Sequence, residues 1–359
     1  MACSRRSGWW RIWQVFPFAG KPDGASKPLL DIYQGTVRRF SRRLRPLGAG
    51  SPRIGNTPIR DLSDFSRWNG LRIMAKLEWF NPWGSVKDRV AWYMVKGAEE
   101  RGELRRGERI IIEPSSGNTG IALTGIARSL GYSVEVVIPK AASEETKMIL
   151  RGMGANVWEV EDDLCPRVGR GTDQSISLAK AAVRSHPGKY FMPNQYENLD
   201  NVRAHYETTG PEIWRQTMGK ITHFVAGIGT GGTVIGVGSY LKERNPRVKV
   251  YAVEPVKGHH IQGLRNLEES SMPKILSEKL DVVDEWIKVD DREAFEAAER
   301  LYREAGIPAG PSSGAALHGA LKVAEEAREG LIVTVFPDGR ERHESTFRKY
   351  REGLLLKEG

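Results

Sequence analysis

Lys87 stands in the segment Asn81-Pro-Trp-Gly-Ser-Val-Lys-Asp-Arg89, directly after an apolar run that ends near Glu78. Ser85 followed by Asp88 has the form of a capping box, which places Lys87 in the first turn of a helix. There its ammonium meets the positive end of the helix dipole, and partial burial lowers its pKa further, so the free amine is favoured. Such an amine can form a Schiff base with an aldehyde. A surface lysine opening an ordinary helix is the competing reading of this turn.

Three further turns follow apolar runs and offer hydroxyls or bare backbone N–H groups. Glu113-Pro-Ser-Ser-Gly-Asn-Thr-Gly120 has the composition of an anion site at a helix N-terminus, or of a simple cap made by Ser115 or Ser116. Gly227-Ile-Gly-Thr-Gly-Gly-Thr233 lets the backbone approach a phosphate closely and adds two threonine hydroxyls. Its spacing, G-x-G-x-G-G, departs from the dinucleotide fingerprint, and Glu254 is the nearest candidate for that fingerprint's acidic partner. Gly310-Pro-Ser-Ser-Gly-Ala-Ala316 opens a helix rich in small residues, for which close packing is the plainer reading. A Schiff-base lysine beside phosphate-friendly turns points to pyridoxal phosphate, whose aldehyde suits the first and whose phosphate suits the glycine loop.

These segments together resemble the cysteine synthase and cystathionine β-synthase family of fold type II pyridoxal-phosphate enzymes. The resemblance runs from Gly55-Asn-Thr-Pro58 to Pro337-Asp-Gly339 and includes the block from Gln195-Tyr to His205-Tyr-Glu-Thr-Thr-Gly-Pro-Glu-Ile213. It implies that Lys87 holds the cofactor as a Schiff base and that Asn118 bonds the ring hydroxyl. It further implies that Gly229, Thr230, Gly231, Gly232 and Thr233 cradle the phosphate while Ser312 faces the pyridine nitrogen. Ser115, Ser116, Gly117 and Thr119, with Gln195, would bind the carboxylate of an amino-acid substrate. Arg265, in Gly263-Leu-Arg-Asn266, resembles a position that recognises phosphate in the O-phosphoserine-using members. Two residues depart from the family pattern: Ser115 replaces a usual Thr, keeping the hydroxyl, and Trp83 replaces a smaller residue, with bulk that could reshape the mouth of the site.

The implied reaction is β-replacement, making L-cysteine from O-acetylserine or O-phosphoserine and sulfide. Lys87 would serve as the base at Cα, and a neutral Ser312 beside the ring would give an electron sink suited to β-elimination. A cystathionine β-synthase activity, joining serine and homocysteine, is the alternative. Serine or threonine dehydratase, and a non-enzymatic RNA-binding protein, rank below both. The family also implies a homodimer.

The elements that must position these residues are legible as alternating runs. Strands are expected at Ile73 to Glu78, Ile110 to Glu113, Val134 to Ile138, Val157 to Val160, His223 to Ala226, Val248 to Val253, Trp286 to Val289 and Leu331 to Phe336. Several are continuous apolar runs, as in parallel strands buried on both faces. Helices are expected at Ile121 to Leu130, closed by Gly131, and Ala294 to Ala305, closed by Gly306. The alternation predicts an α/β fold of two doubly wound, mainly parallel domains, 51–200 with the lysine and substrate loop and 201–359 with the phosphate loop. By the resemblance, the cofactor lies in the cleft between them.

Composition bounds the rest. The 359 residues carry 54 Lys and Arg against 45 Asp and Glu, a net +9 that tempts toward nucleic acid. Ten of those cations and only two acids fall in residues 1–50, so residues 51–359 are nearly neutral, with 44 against 43. The basic charge belongs to an N-terminal extension, read as disordered or targeting, with import into an organelle open. Nucleic acid is therefore not an expected partner of the body. Residues 224–241 form 18 uncharged residues, but six are glycines, which fits strand, loop and helix rather than a membrane span. Cys3 and Cys165 make no disulfide framework and have no metal-ligand spacing, which suits a reducing cytoplasm and no metal. His259 and His260 are read as loop residues.

Overall fold

A computed structural model describes residues 53–161 and 174–355. The basic extension and Cys165 lie outside these residues.

Two sheets organise the chain. Strands β1 (Ile59–Asp61), β2 (Leu71–Leu77), β7 (His223–Gly227), β8 (Lys249–Pro255), β9 (Glu285–Val289) and β10 (Gly330–Phe336) form one, in the order β1-β2-β10-β7-β8-β9. The other contains β3 (Ile110–Pro114), β4 (Val134–Pro139), β5 (Asn156–Val160) and β6 (Tyr190–Phe191), in the order β5-β4-β3-β6. Among the described residues, every pairing between these strands is parallel except β1 on β2. The apolar runs are the buried strands: every residue of β4 is buried, as are Leu331–Phe336 of β10, which has neighbours on both sides. Such strands need covering on both faces, and the intervening helices supply it.

The sheets do not divide as the expected 51–200 and 201–359 do. β2 lies beside β10, with Ile73 opposite Ile332, so β1 and β2 belong to the larger sheet with the C-terminal strands. The cause is apolar matching: Leu71, Ile73, Ala75 and Leu77 are buried in the same cluster as Ile332 and Phe336. The chain thus leaves the larger sheet after β2, builds the smaller one, and returns at β7.

Eight strands stand close to their expected positions, while β1 and β6, of three and two residues, were not foreseen. Helix α1 is Lys87–Glu100, α2 is Asn118–Ser129 and α3 is Glu144–Gly152. Of the later helices, α4 (Gly232–Arg244) follows β7, while α5 (Asp291–Ala305) and α6 (Pro311–Ala327) precede β10. α5 closes on Gly306 at φ +64°, as the sequence predicts, and opens three residues before the expected Ala294, on a capping box of Asp290 and Glu293. Among the described residues no helix is long and apolar enough to cross a membrane. The uncharged segment 224–241 is β7, the glycine loop and most of α4.

Candidate active site

One cleft gathers the turns beyond the carboxyl ends of β3, β7, β8 and β10, together with the first residues of α1 and α6. Ligands of open α/β sheets bind at such strand ends. The cleft holds about 980 Å³, part of it open to solvent, and Lys87, Ser115–Thr119, Gln195, Thr230, Arg265 and Ser312 line it.

Lys87 is the first residue of α1. The expected capping box is displaced by one residue: Val86 is the N-cap, and the Ser85 hydroxyl accepts the Lys87 N–H at 3.3 Å instead of the N–H of Asp88. Asp88 turns its carboxylate back onto the Trp83 N–H at 2.6 Å. Burial pushes the Lys87 amine down to about 8, with the charge of Asp338 opposing the shift. A far larger share of that amine is therefore a free nucleophile at mildly basic pH than for an ordinary lysine.

In the loop after β3, the Ser115 hydroxyl accepts the N–H groups of Gly117 and Gly120, at 3.2 and 3.0 Å, so it holds the start of α2 in shape. Thr119 donates to Gln195 Oε1 at 2.6 Å, and Glu113 accepts the Asn194 and Gln195 N–H groups at 2.8 and 3.0 Å. Burial drives the Glu113 carboxyl up to about 7, against the pull of those two bonds. Ser116, Gly117 and Asn118 are half-buried in the cleft wall. Asn118 donates to Asp338 Oδ2 at 2.7 Å and accepts from Arg342.

The glycine loop is shaped by backbone crowding. A Cβ at Gly229 would lie 2.5 Å from the Gly263 carbonyl oxygen, and Gly231, the N-cap of α4, has φ +89°. Gly229, Thr230, Gly231 and Thr233 face the cleft, whereas Gly232 packs beneath it against Asn201. Asn201 also donates to the Thr230 hydroxyl at 2.9 Å. Thr233 meets His205 Nε2 at 3.2 Å, and His205 is pushed down to about 3 by burial and by the nearby charges of Lys87 and Arg89. Among the described residues no Asp or Glu lines the cleft, and the loop leads into the N-terminus of α4, so a phosphate fits it. Ser312, in the first turn of α6, is buried and faces the cleft. With a reactive amine, a phosphate cradle and a hydroxyl in one cleft, the residues present fit pyridoxal phosphate.

Arg265 is 6% exposed, donates to the Ser271 carbonyl at 3.2 Å and stacks on Tyr196, 4.8 Å from the ring centroid, while still lining the cleft. Trp83 does not reach the mouth of the site. Its indole is 2% exposed and packs in the core against Gly125 of α2, where a Cβ would overlap it. The bulk of Trp83 is matched here by the absence of a side chain at Gly125.

Among the residues not singled out from the sequence as site residues, Gln262, Arg342 and His343 line the cleft, and Asp338 lies directly behind its wall. Asp338 follows β10, is fully buried and bridges Asn118 and His343, the latter at 2.8 Å. Burial alone would raise its carboxyl, but His343, Asn118 and Arg342 outweigh it and hold the group below the usual carboxylate range. Gln262 donates to the Ser116 carbonyl at 3.0 Å. Their one sequence signal was position: each follows a buried parallel strand.

Residues 50–338 match the model of the family described as pyridoxal-phosphate dependent enzyme. A cysteine synthase of Aquifex aeolicus is 42% identical over 82% of this chain and 89% of its own length. A cystathionine beta-synthase of Apis mellifera is 39% identical over 80% of this chain, though over only 58% of its own. Among solved structures, a cysteine synthase (OASS) of Entamoeba histolytica superposes with TM-score 0.74 at 35% identity, covering 88% of this chain and 96% of the other. The chain belongs to the pyridoxal-phosphate dependent enzymes, within the cysteine synthase and cystathionine β-synthase family.

Proposed function

We propose that this cleft performs β-replacement on an activated L-serine, O-acetylserine or O-phosphoserine, with sulfide as the incoming nucleophile and L-cysteine as the product. The observation that carries the reading is that Lys87, Gly229, Thr230, Gly231, Thr233 and Ser312 line one cleft, with no Asp or Glu among its described lining residues. Pyridoxal phosphate, when bound, supplies the electron sink that lets a proton leave Cα of an amino acid.

The chain's own residues then divide the work. Lys87 holds the cofactor and, once released, takes the Cα proton and later returns it; an amine near 8 suits both directions. Ser115, Ser116, Gly117, Thr119 and Gln195 bind the substrate carboxylate at the start of α2. Asn118 holds the ring hydroxyl, exchanging part of its present bonding to Asp338 and Arg342. Gly229 to Thr233 hold the phosphate, Gly232 by keeping the loop close to Asn201. Ser312 leaves the pyridine nitrogen without a carboxylate partner, which favours elimination over transamination.

Arg265 supports a phosphorylated donor, because a buried guanidinium at the cleft wall suits bidentate phosphate contact. The similarity to cystathionine beta-synthase keeps serine and homocysteine as the second reading. A homodimer in a reducing cytoplasm is the assembly and compartment we assign, on the family's habit and the two cysteines.

The test is turnover by the loaded enzyme with O-phosphoserine, O-acetylserine or serine, each with sulfide or homocysteine. L-cysteine from an O-activated serine is expected to form fastest; cystathionine from serine as the main product would replace this reading by the second. Arg265→Ala should lower kcat/KM for O-phosphoserine about 10- to 100-fold and leave O-acetylserine nearly unchanged. Equal loss on both donors would remove Arg265 from leaving-group recognition.

A further inference from the structure

His343 faces a hydrogen-bond acceptor on each side. Its Nε2 lies 2.8 Å from Asp338 Oδ2 and its Nδ1 lies 3.1 Å from Gln262 Oε1. The second partner has a fixed orientation, because the other arm of the Gln262 amide donates to the Ser116 carbonyl at 3.0 Å, which only an NH2 can do. The first is an ionised carboxylate, already taking the Asn118 N–H on the same oxygen. The ring is 3% exposed, so water does not compete for either nitrogen. Gly310 makes room for the pair: a Cβ there would sit 3.0 Å from His343 Cδ2 and overlap Asp338.

We propose that His343 is a positioning residue, donating from both ring nitrogens and so cross-linking the three loops that form the cleft wall: Ser116–Asn118 through Gln262, the loop of Gln262 itself, and Asp338. The proposal rests on the reading of the cleft as the catalytic site, since its effect on turnover acts through the loop assigned to the substrate carboxylate.

The charges facing this ring come from several elements. Asp338 lies after β10 and bonds Nε2 directly. Arg342 precedes His343 in the chain and turns its guanidinium away, to Asn118 and the Trp83 carbonyl. Lys87 of α1 acts on the same Asp338 carboxylate. Arg340 is drawn off to Glu299 and Glu344, at 2.9 and 3.3 Å. Asp338 is thus the anion in direct contact, and a ring bearing two N–H groups completes the arrangement without leaving a buried donor or acceptor facing its like.

Two measurements independent of turnover test this. Nitrogen-15 NMR of the histidine side chains, with His343 assigned by loss of its signal in His343→Phe, should show hydrogens on both ring nitrogens at neutral pH; a single protonated nitrogen would overturn the proposal. Amide hydrogen exchange in Ser116–Asn118 should quicken about tenfold in Gln262→Leu, which cuts the link to the loop and keeps the His343–Asp338 contact, so the result stands even where His343→Phe folds poorly. Unchanged exchange there would equally overturn it. In loaded enzyme, KM for the amino-acid donor should rise severalfold in Gln262→Leu with kcat less affected. If the NMR and exchange results hold but no cysteine forms with any donor, the reaction assigned above fails while the cross-link stands.

Discussion

Arg89 donates two hydrogen bonds to Glu212, from Nη1 at 2.7 Å and Nη2 at 2.8 Å, across 123 residues of sequence. The same guanidinium donates to Glu78 through Nε and Nη2, at 2.8 and 2.9 Å, with no side-chain exposure. Lys76 completes the cluster at 2.8 Å from Glu212. Arg89 lies two residues along α1 from Lys87, and its partners tie that helix both to the end of β2 and to the chain returning from the smaller sheet.

Removing the guanidinium leaves two buried carboxylates with too few donors. Arg89→Met is expected to destabilise the protein by about 3–5 kcal/mol, because the loss exposes a buried unpaired charge rather than a surface contact. Urea or guanidinium unfolding monitored by tryptophan fluorescence measures it. A change below about 1 kcal/mol would show that the cluster does not hold α1.

The cluster also sets an acid limit. Burial opposes ionisation of Glu78, but the Arg89 and Lys76 charges prevail and hold it at about 2, below its ordinary 4.5. A carboxyl lowered by folding contributes stability that is full above 4.5 and is lost as pH falls toward 2. Stability should therefore decline across that window, and less steeply in Glu78→Gln, once its lower starting stability is subtracted. Equal slopes for both proteins would remove Glu78 from the acid transition.

The sequence made most of this architecture readable because its strands are buried on both faces, so Val134–Pro139 and Gly330–Phe336 show as unbroken apolar runs. β1 escaped because it is a three-residue antiparallel edge with two exposed positions, and β6 because it has two residues. The division of the chain escaped for a different reason: which sheet β2 joins depends on its pairing with β10, some 260 positions away, which no local pattern encodes. Lys87 and the glycine loop were legible because their chemistry sits in contiguous motifs. Gln262, Asp338 and His343 were not, since each acquires meaning only through a partner on another loop.

Lys87 reacts as a free amine, and burial pushes it down to about 8 from an ordinary 10.5. The rate at which cofactor-free enzyme takes up pyridoxal phosphate should rise with pH through about 8 and then level. Stopped-flow absorbance measures this. A rate still climbing steeply toward pH 10 would mean the amine is not depressed.

Gly229 approaches the Gly263 carbonyl so closely that an added methyl must displace backbone rather than a flexible side chain. Gly229→Ala should weaken pyridoxal phosphate binding at least about tenfold, about 1.4 kcal/mol, and should also lower the stability of the cofactor-free protein by about 1–3 kcal/mol, because the backbone must yield in both states. Equilibrium titration of the apoprotein gives the constant. Unaltered affinity would place the phosphate elsewhere.

The central claim is that Lys87 carries the cofactor in this cleft. Reducing the loaded enzyme with borohydride and mapping its peptides by mass spectrometry tests it directly. The pyridoxyl group is expected on Lys87 alone, with none incorporated in Lys87→Ala; the group on another lysine, or undiminished labelling in the variant, would contradict the account.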